Sequence, residues 1–308
     1  MIASLPAIVS RLRLKQLRLL IALDEHGSLH RAAERIAITQ PGATKALHEI
    51  ESTFGTSLFT RTSQGLEPND LGRCVIRYAR LIHSDLAHLR EEMIGILQGH
   101  GGRLAVGAIM GAVPLLLRAL GRLREKQPEL SVEIVEDTSA RLLDLIDQGR
   151  LDLAICRTSV SRRPDAYDCL CLYGEPLWVV CNPDNPLLRA ERLELQDLGD
   201  CRWVVYPTNM PMRLLLEREF REAGLEFPRY PLETSSTFTT LTLLQQDSAL
   251  IALLPEEVAA SAARFGMLAR LPLHLRSASE PYGVISRHGA SLPPPALLLL
   301  DELRLEAD

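Results

Sequence analysis

From Asn69 to Leu97 the chain carries one unbroken helical pattern. Asn69 follows Pro68 and is a good N-cap. Leu71, Val75, Tyr78 and Ile82 then fall on one stripe, and Leu86, Leu89, Met93 and Ile96 continue it, with a stutter after Ile82. At about 1.5 Å per residue this is roughly 40 Å of helix. An apolar stripe of that length needs a partner. It can lie on its own chain, but pairing with its twin in a homodimer suits it better.

The helix also divides the sequence. Residues 11–68 read as short, tightly turned helices. "GHGG" at 99–102 is a glycine-rich break and reads as a hinge. From Arg103 to the end, strand-like and helical segments alternate, which predicts an α/β domain with a largely parallel sheet. Strands are expected over Arg103–Ile109, Ser131–Glu136, Leu151–Cys156, Pro176–Cys181, Arg202–Tyr206, Ala249–Leu253 and Pro281–Ser286. Helices are expected over Val113–Lys126, Ser139–Gln148, Pro211–Glu222, Phe238–Gln246, Glu256–Arg264 and Pro294–Leu305. The 308 residues suffice for two or three domains, and 46% hydrophobic with 24% charged residues is a soluble globular composition. "MIASLPAIVSRLRLK" is too short in its apolar part for a signal peptide, and no apolar run can span a membrane. A cytoplasmic protein without membrane contact is expected.

The net charge of −5 is uneven: residues 1–98 hold 12 Lys+Arg against 10 Asp+Glu, and the remainder is acidic. The N-terminal part is therefore the better suited to an anionic partner. Its centre is "AITQPGATKALHEIE" (37–51), where Ala43, Leu47 and Ile50 share one face. Thr39 is placed to cap this helix, and Gln40 and Pro41 lie in its first turn, where proline loses no intrahelical bond. A preceding helix begins at Ser28, after Gly27, with Ala32, Ala33 and Ile36 facing inward. Helix, short turn, helix is the helix-turn-helix pattern, whose second helix enters the DNA major groove by its N-terminal end. Gln40 can pair with an adenine edge, Lys45 can reach guanine or phosphate, and Thr44 can meet a thymine methyl; His48 shares that outer face. "TSQG" (62–65) then turns between two short extended pieces, which reads as a wing, with Arg61 at its root suited to phosphate or the minor groove.

Catalytic motifs are absent: no G-x-S-x-G, Walker loop or HExxH occurs. The six cysteines match no zinc framework, so no metal or cofactor is expected. Buried reduced thiols are the plain reading, and a redox sensor at Cys169 and Cys171 is the alternative. An enzyme or a solute-binding module remains as a weaker rival class.

The run from Ser28 to Gly72 resembles the winged helix-turn-helix of the LysR-type transcriptional regulators. The resemblance rests on Ser28, Ala32, Ala33, Gln40, Pro41, Thr44, Gly55, Leu58, Phe59, Arg61 and Gly72, with Ile50-Glu51 in place of the family's Leu-Glu pair. Two departures bear on site preference: "PND" (68–70) stands near the closing glycine instead of Leu-Thr, and Lys45 stands where Arg is frequent. The likeness extends over the whole chain and is greatest to the branch holding the galactose-binding-protein and protocatechuate-pathway regulators. It implies a DNA-binding domain over 11–68, a dimerisation helix over 69–98, the hinge at 99–102, and a two-lobed, periplasmic-binding-protein-like effector domain over 103–308. Lobe I would comprise about 103–174 and 278–308, and lobe II about 175–277. It further implies a bacterial regulator, homodimeric or homotetrameric, that binds inverted-repeat promoter DNA and a small-molecule effector and works through RNA polymerase.

In such two-lobed domains ligands bind at strand C-termini and helix N-termini. The residues so placed are Met110 and Gly111, Asp137 and Thr138, Arg157, Thr208 and Asn209, and Thr234, Ser235 and Ser236. Their hydroxyls suit a carboxylate or a polyol, and Arg157 is the residue able to clamp a carboxylate bidentately unless it serves a structural ion pair.

Overall fold

The computed structural model describes residues 2–63, 65–98, 102–172, 174–208, 210–277 and 279–306. The chain packs as two compact units, Met1–Arg103 with Asp144–Leu151, and Leu104–Leu143 with Asp152–Asp308.

In the first unit a short helix that the sequence did not announce, α1 (Leu5–Arg11), precedes α2 (Leu14–His26), α3 (Leu29–Arg35) and α4 (Gln40–Phe54). Gly27 stops α2 in a left-handed conformation, φ 62°, with its N–H on Leu23 O. Thr39 caps α4: its Oγ1 accepts from the Gly42 N–H at 3.3 Å. Ala32 and Ala33 are buried at 0% and 2% exposure, and their small size brings α3 close onto the core of Leu19, Leu20, Leu23, Leu47, Ile50 and Leu58. A hairpin of β1 (Phe59–Thr62) and β2 (Gly65–Pro68) follows, antiparallel, with Arg61 opposite Leu66. Glu51 fastens it, its Oε1 accepting the N–H groups of Leu58 at 2.8 Å and Phe59 at 3.4 Å.

Helix α5 (Asp70–Gln98) begins at Asn69, whose Oδ1 accepts the Gly72 N–H at 2.8 Å while its Nδ2 donates to Ser57 O at 2.8 Å. Gly72 lies so near the hairpin root that a Cβ there would stand 2.0 Å from Leu58 O. Ile76, Ala79 and Leu81 are buried, and Arg80 joins Asp24 at 2.8 Å and Glu25 at 3.0 Å on α2. The opposite stripe stays exposed: Leu71, Tyr78, Ile82, Leu86, Leu89 and Met93. Val75 leaves the expected seam because it packs against the helical core. The Ile96 side chain and hinge residues 99–101 lie outside the described residues.

In the second unit β3 (Arg103–Ala108), β4 (Ser131–Glu136), β5 (Leu153–Cys156), β6 (Tyr167–Cys171) and β12 (Gly283–Arg287) form one five-stranded sheet, ordered β4-β3-β5-β12-β6. A second is built from β7 (Leu177–Cys181), β8 (Arg202–Val205), β9 (Leu232–Glu233), β10 (Leu250–Pro255) and β11 (Ala269–Arg270), ordered β11-β7-β10-β8-β9. Strands β5 and β10 are buried throughout, which is why they read as continuous apolar runs. The helices are α6 (Val113–Lys126), α7 (Ser139–Asp147), α8 (Pro211–Glu222), α9 (Thr237–Gln246), α10 (Glu256–Arg264) and α11 (Pro294–Arg304). Arg122 pins α6 to α11 through Glu302 at 2.9 Å and Glu306 at 2.6 Å.

The expectation of a largely parallel sheet is corrected. Pairs β3–β5, β8–β10 and β8–β9 are parallel, but β5–β12, β6–β12, β7–β10 and β7–β11 are antiparallel. The chain crosses between the sheets twice, over residues 172–176 and 271–282. Each crossing delivers a strand that runs against its new neighbour. Strands β6, β9 and β11 were not anticipated either; β9 and β11 have two residues each, too few for any period to register.

Candidate nucleic-acid interface and ligand cleft

In the first unit, burial of Ala43, Leu47 and Ile50 turns the other side of α4 outward. Gln40, Pro41, Lys45 and His48 are exposed on that side, and Thr44 is half-buried. The Thr44 hydroxyl donates to Gln40 O at 3.1 Å and keeps its acceptor lone pairs. Thr39 caps α4 as an acceptor, so it shapes the helix end and keeps its O–H donor. At the hairpin side a concavity of about 600 Å³ gathers Ser28, Arg31, Arg61 and Ser63. Ser28 makes no side-chain cap bond to α3. Arg31 is exposed and was missed by the sequence reading, although it lies three residues beyond Ser28 on the same short helix.

In the second unit a cleft of about 490 Å³ takes residues from both sheets' surroundings. Of the residues expected there, Met110, Gly111, Thr138, Arg157 and Ser235 line it. Thr138 Oγ1 accepts the Arg141 N–H at 3.4 Å and so also caps α7. Thr208 and Thr234 do not line it. Thr208 is exposed, and Thr234 folds its hydroxyl onto the Ser236 N–H at 3.1 Å. Asn209 lies outside the described residues. The cap of α9 is Ser236, whose Oγ accepts the Thr239 N–H at 3.2 Å.

The cleft's floor shows the structural ion pair that the sequence left open as the alternative for Arg157. Arg157 is 8% exposed, and Nε and Nη2 of its guanidinium are engaged. Nη2 donates to Glu175 Oε2 at 2.6 Å and to Ser279 Oγ at 2.8 Å, and Nε donates to Glu280 O at 2.9 Å. Ser279 Oγ in turn donates to Glu175 Oε2 at 3.2 Å. The other carboxylate oxygen of Glu175, Oε1, is buried without a hydrogen-bond partner. It presses on Gly111, where a Cβ would stand 1.6 Å away. Glu136 and Asp137 also line the cleft, so three carboxylates face one arginine. Burial first, and then Glu175 and Glu136, push the Tyr206 hydroxyl upward. Burial, then Glu175 and Glu257, push Tyr282 up to about 12. Glu175 and Ser279 escape a reading by local pattern because each sits on a crossing between sheets rather than at a recognisable strand end.

Among the described residues no group of three or more His, Cys, Asp or Glu is placed to hold a metal ion, and no helix is long and apolar enough to cross a membrane.

Comparison with known proteins places both parts. Residues 14–73 match the bacterial regulatory helix-turn-helix protein of the lysR family, and residues 97–308 match the LysR substrate binding domain. The chain is 34% identical over 306 residues to the HTH-type transcriptional regulator GbpR of Azospirillum brasilense, covering 97% of this chain and 88% of that one. It is 30% identical to the SDS degradation transcriptional activation protein of Pseudomonas sp. (strain ATCC 19151), covering 94% and 96%. Full-length CbnR, a LysR family transcriptional regulator, superposes with a TM-score of 0.64 at 20% identity over 96% of this chain and 100% of its own. CbnR complexed with its target DNA gives 0.63 at 22% identity, with the same coverage. The chain therefore belongs to the LysR family of transcriptional regulators, with an N-terminal DNA-binding helix-turn-helix and a C-terminal effector-binding domain.

Proposed function

We propose that this regulator reads promoter DNA through α4 and responds to a small molecule that enters the acidic cleft as a hydrogen-bond donor, without net negative charge. The observation that carries the second half is the charge balance: Glu136, Asp137 and Glu175 face a single Arg157, which is already bonded to Glu175. A carboxylate effector would add an anion to that field, opposite a guanidinium already tied to Glu175 through Nη2. A polyol or an amine brings the donors that these acids lack. Calorimetric titration with neutral polyols, amines and carboxylates of matched size tests this. Binding confined to the first two classes supports the reading, and preferential binding of carboxylates sinks it.

On the DNA side, Gln40, Thr44, Lys45 and His48 offer the stripe for base edges, and Ser28, Arg31 and Arg61 a setting for phosphate. Thr39 and Pro41 serve by fixing the helix start. Substituting Lys45→Ala or Thr44→Ala is expected to weaken operator binding by about 1–3 kcal/mol per half-site with the fold intact. A change in the salt slope for Lys45→Ala alone would assign it to phosphate. Undiminished affinity in both variants would remove α4 from the interface.

The exposed stripe on α5 supports pairing of two chains, which would set two copies of α4 on an inverted repeat. Leu86→Asp and Leu89→Asp together are expected to yield a monomer by sedimentation, with operator affinity lowered at least tenfold. An unchanged sedimentation coefficient would place the pairing surface elsewhere. A tetramer bending the DNA and contacting RNA polymerase is the assembly proposed for promoter control.

A further inference from the structure

Three thiols lie on one face of the first sheet of the second unit. Cys171 on β6 stands opposite Gly283 on β12, and Gly283 stands opposite Cys156 on β5, so all three positions point the same way. Cys169, two residues along β6, shares that face. Gly283 leaves the space between the strands open, and Cys169 Sγ uses it: a Cβ at Gly283 would stand 2.6 Å from that sulfur. The result is a pair, Cys169 Sγ and Cys171 Sγ, 3.8 Å apart on exposed residues. Cys156 is buried beneath.

We propose that Cys169 and Cys171 form a two-coordinate chelate for a soft, thiophilic d10 cation of the monovalent copper or silver class. The site is separate from the cleft and from the DNA-binding face.

Ligand number and softness set the class. Zinc in a structural site asks for four ligands, and the described residues here assemble no group of three. Thiolate ligands select soft monovalent ions, which are satisfied by two sulfurs. Binding is an exchange of protons for metal: two thiols and one monovalent cation give a bis-thiolate complex of charge −1 and two released protons, with no change of oxidation state. An extended strand holds residues i and i+2 about 6.6 Å apart, at the upper edge of the span a disulfide tolerates. The pair therefore favours a bridging ion over an S–S bond.

The test uses the reduced full-length chain and silver ion as a redox-inert probe. Cys74 is exposed and Cys201 partly so, and both are replaced by Ser to remove competing thiols. Native mass spectrometry and proton release are read during titration against a competing thiol. The expected result is one tightly held ion and two protons per chain. Cys169→Ser and Cys171→Ser should each lower the affinity roughly 10²–10⁴-fold through loss of the chelate, with unchanged circular dichroism. Stoichiometry or affinity indifferent to both substitutions would overturn the site. So would a Cys169–Cys171 disulfide forming under mild peroxide in a chain whose reduced form holds no silver, which would make the pair a redox element instead.

Discussion

Replacing Glu175 by alanine is expected to destabilise the effector-binding unit by about 3–5 kcal/mol, because it strands the buried Arg157 guanidinium without its counter-charge. The loss exceeds that of an ordinary surface pair because Glu175 and Arg157 are 4% and 8% exposed, too dry for water to step in. In a unit of this size, thermal unfolding should fall on the order of 10 °C. Removing both charges is the control. Glu175→Leu combined with Arg157→Met leaves no orphan ion and should recover most of the loss, and the double-mutant cycle then measures the pair itself. Calorimetry following the two units separately checks this; a helix-turn-helix transition that moves as much as the effector-domain transition would mean the damage is not local. An alanine variant as stable as the parent would show that Arg157 has found water or Glu280 sufficient.

Gly72→Ala is the second large effect, and it should act on the other unit. The added methyl would sit 2.0 Å from Leu58 O, a carbonyl already held by the Asn69 N–H at 3.0 Å. Neither side can yield cheaply. The hairpin root is fixed to Glu51, and the helix start is fixed by its Asn69 cap. An overpacking cost of about 2–3 kcal/mol is expected, with early melting of the DNA-binding unit and loss of operator affinity. Gly121, on the exposed side of α6 with no atom within 4 Å of a Cβ, supplies the contrast. Gly121→Ala should stabilise by about 0.5–1 kcal/mol through helix propensity alone. If Gly72→Ala also stabilised, the close approach at Leu58 would not exist in solution.

These two sites mark where sequence reading succeeds and where it stops. The caps at Thr39 and Asn69, the proline in the first turn of α4 and the stripe along α5 were legible because each depends on residues within one or two helical turns. Gly72 was visible as part of a motif, but its reason, a carbonyl fourteen residues earlier, was not. In the cleft the rule that ligands meet strand ends led to Met110, Gly111, Thr138 and Arg157, and these do line it. Thr208 is exposed and outside that lining, and the partner of Arg157, Glu175, lies on a crossing that no local pattern announces. Strand direction failed for the same cause: it is decided by where the chain crosses, and crossings carry no period.

Both crossings between the sheets meet at one side chain. Glu175 belongs to the first and Ser279 and Glu280 to the second, and one guanidinium, that of Arg157, bonds all three. The two ropes joining the halves of the effector domain are thus knotted together at the bottom of the cleft. A displacement of either crossing is therefore felt by the other through a single side chain, with no relay of packed residues in between.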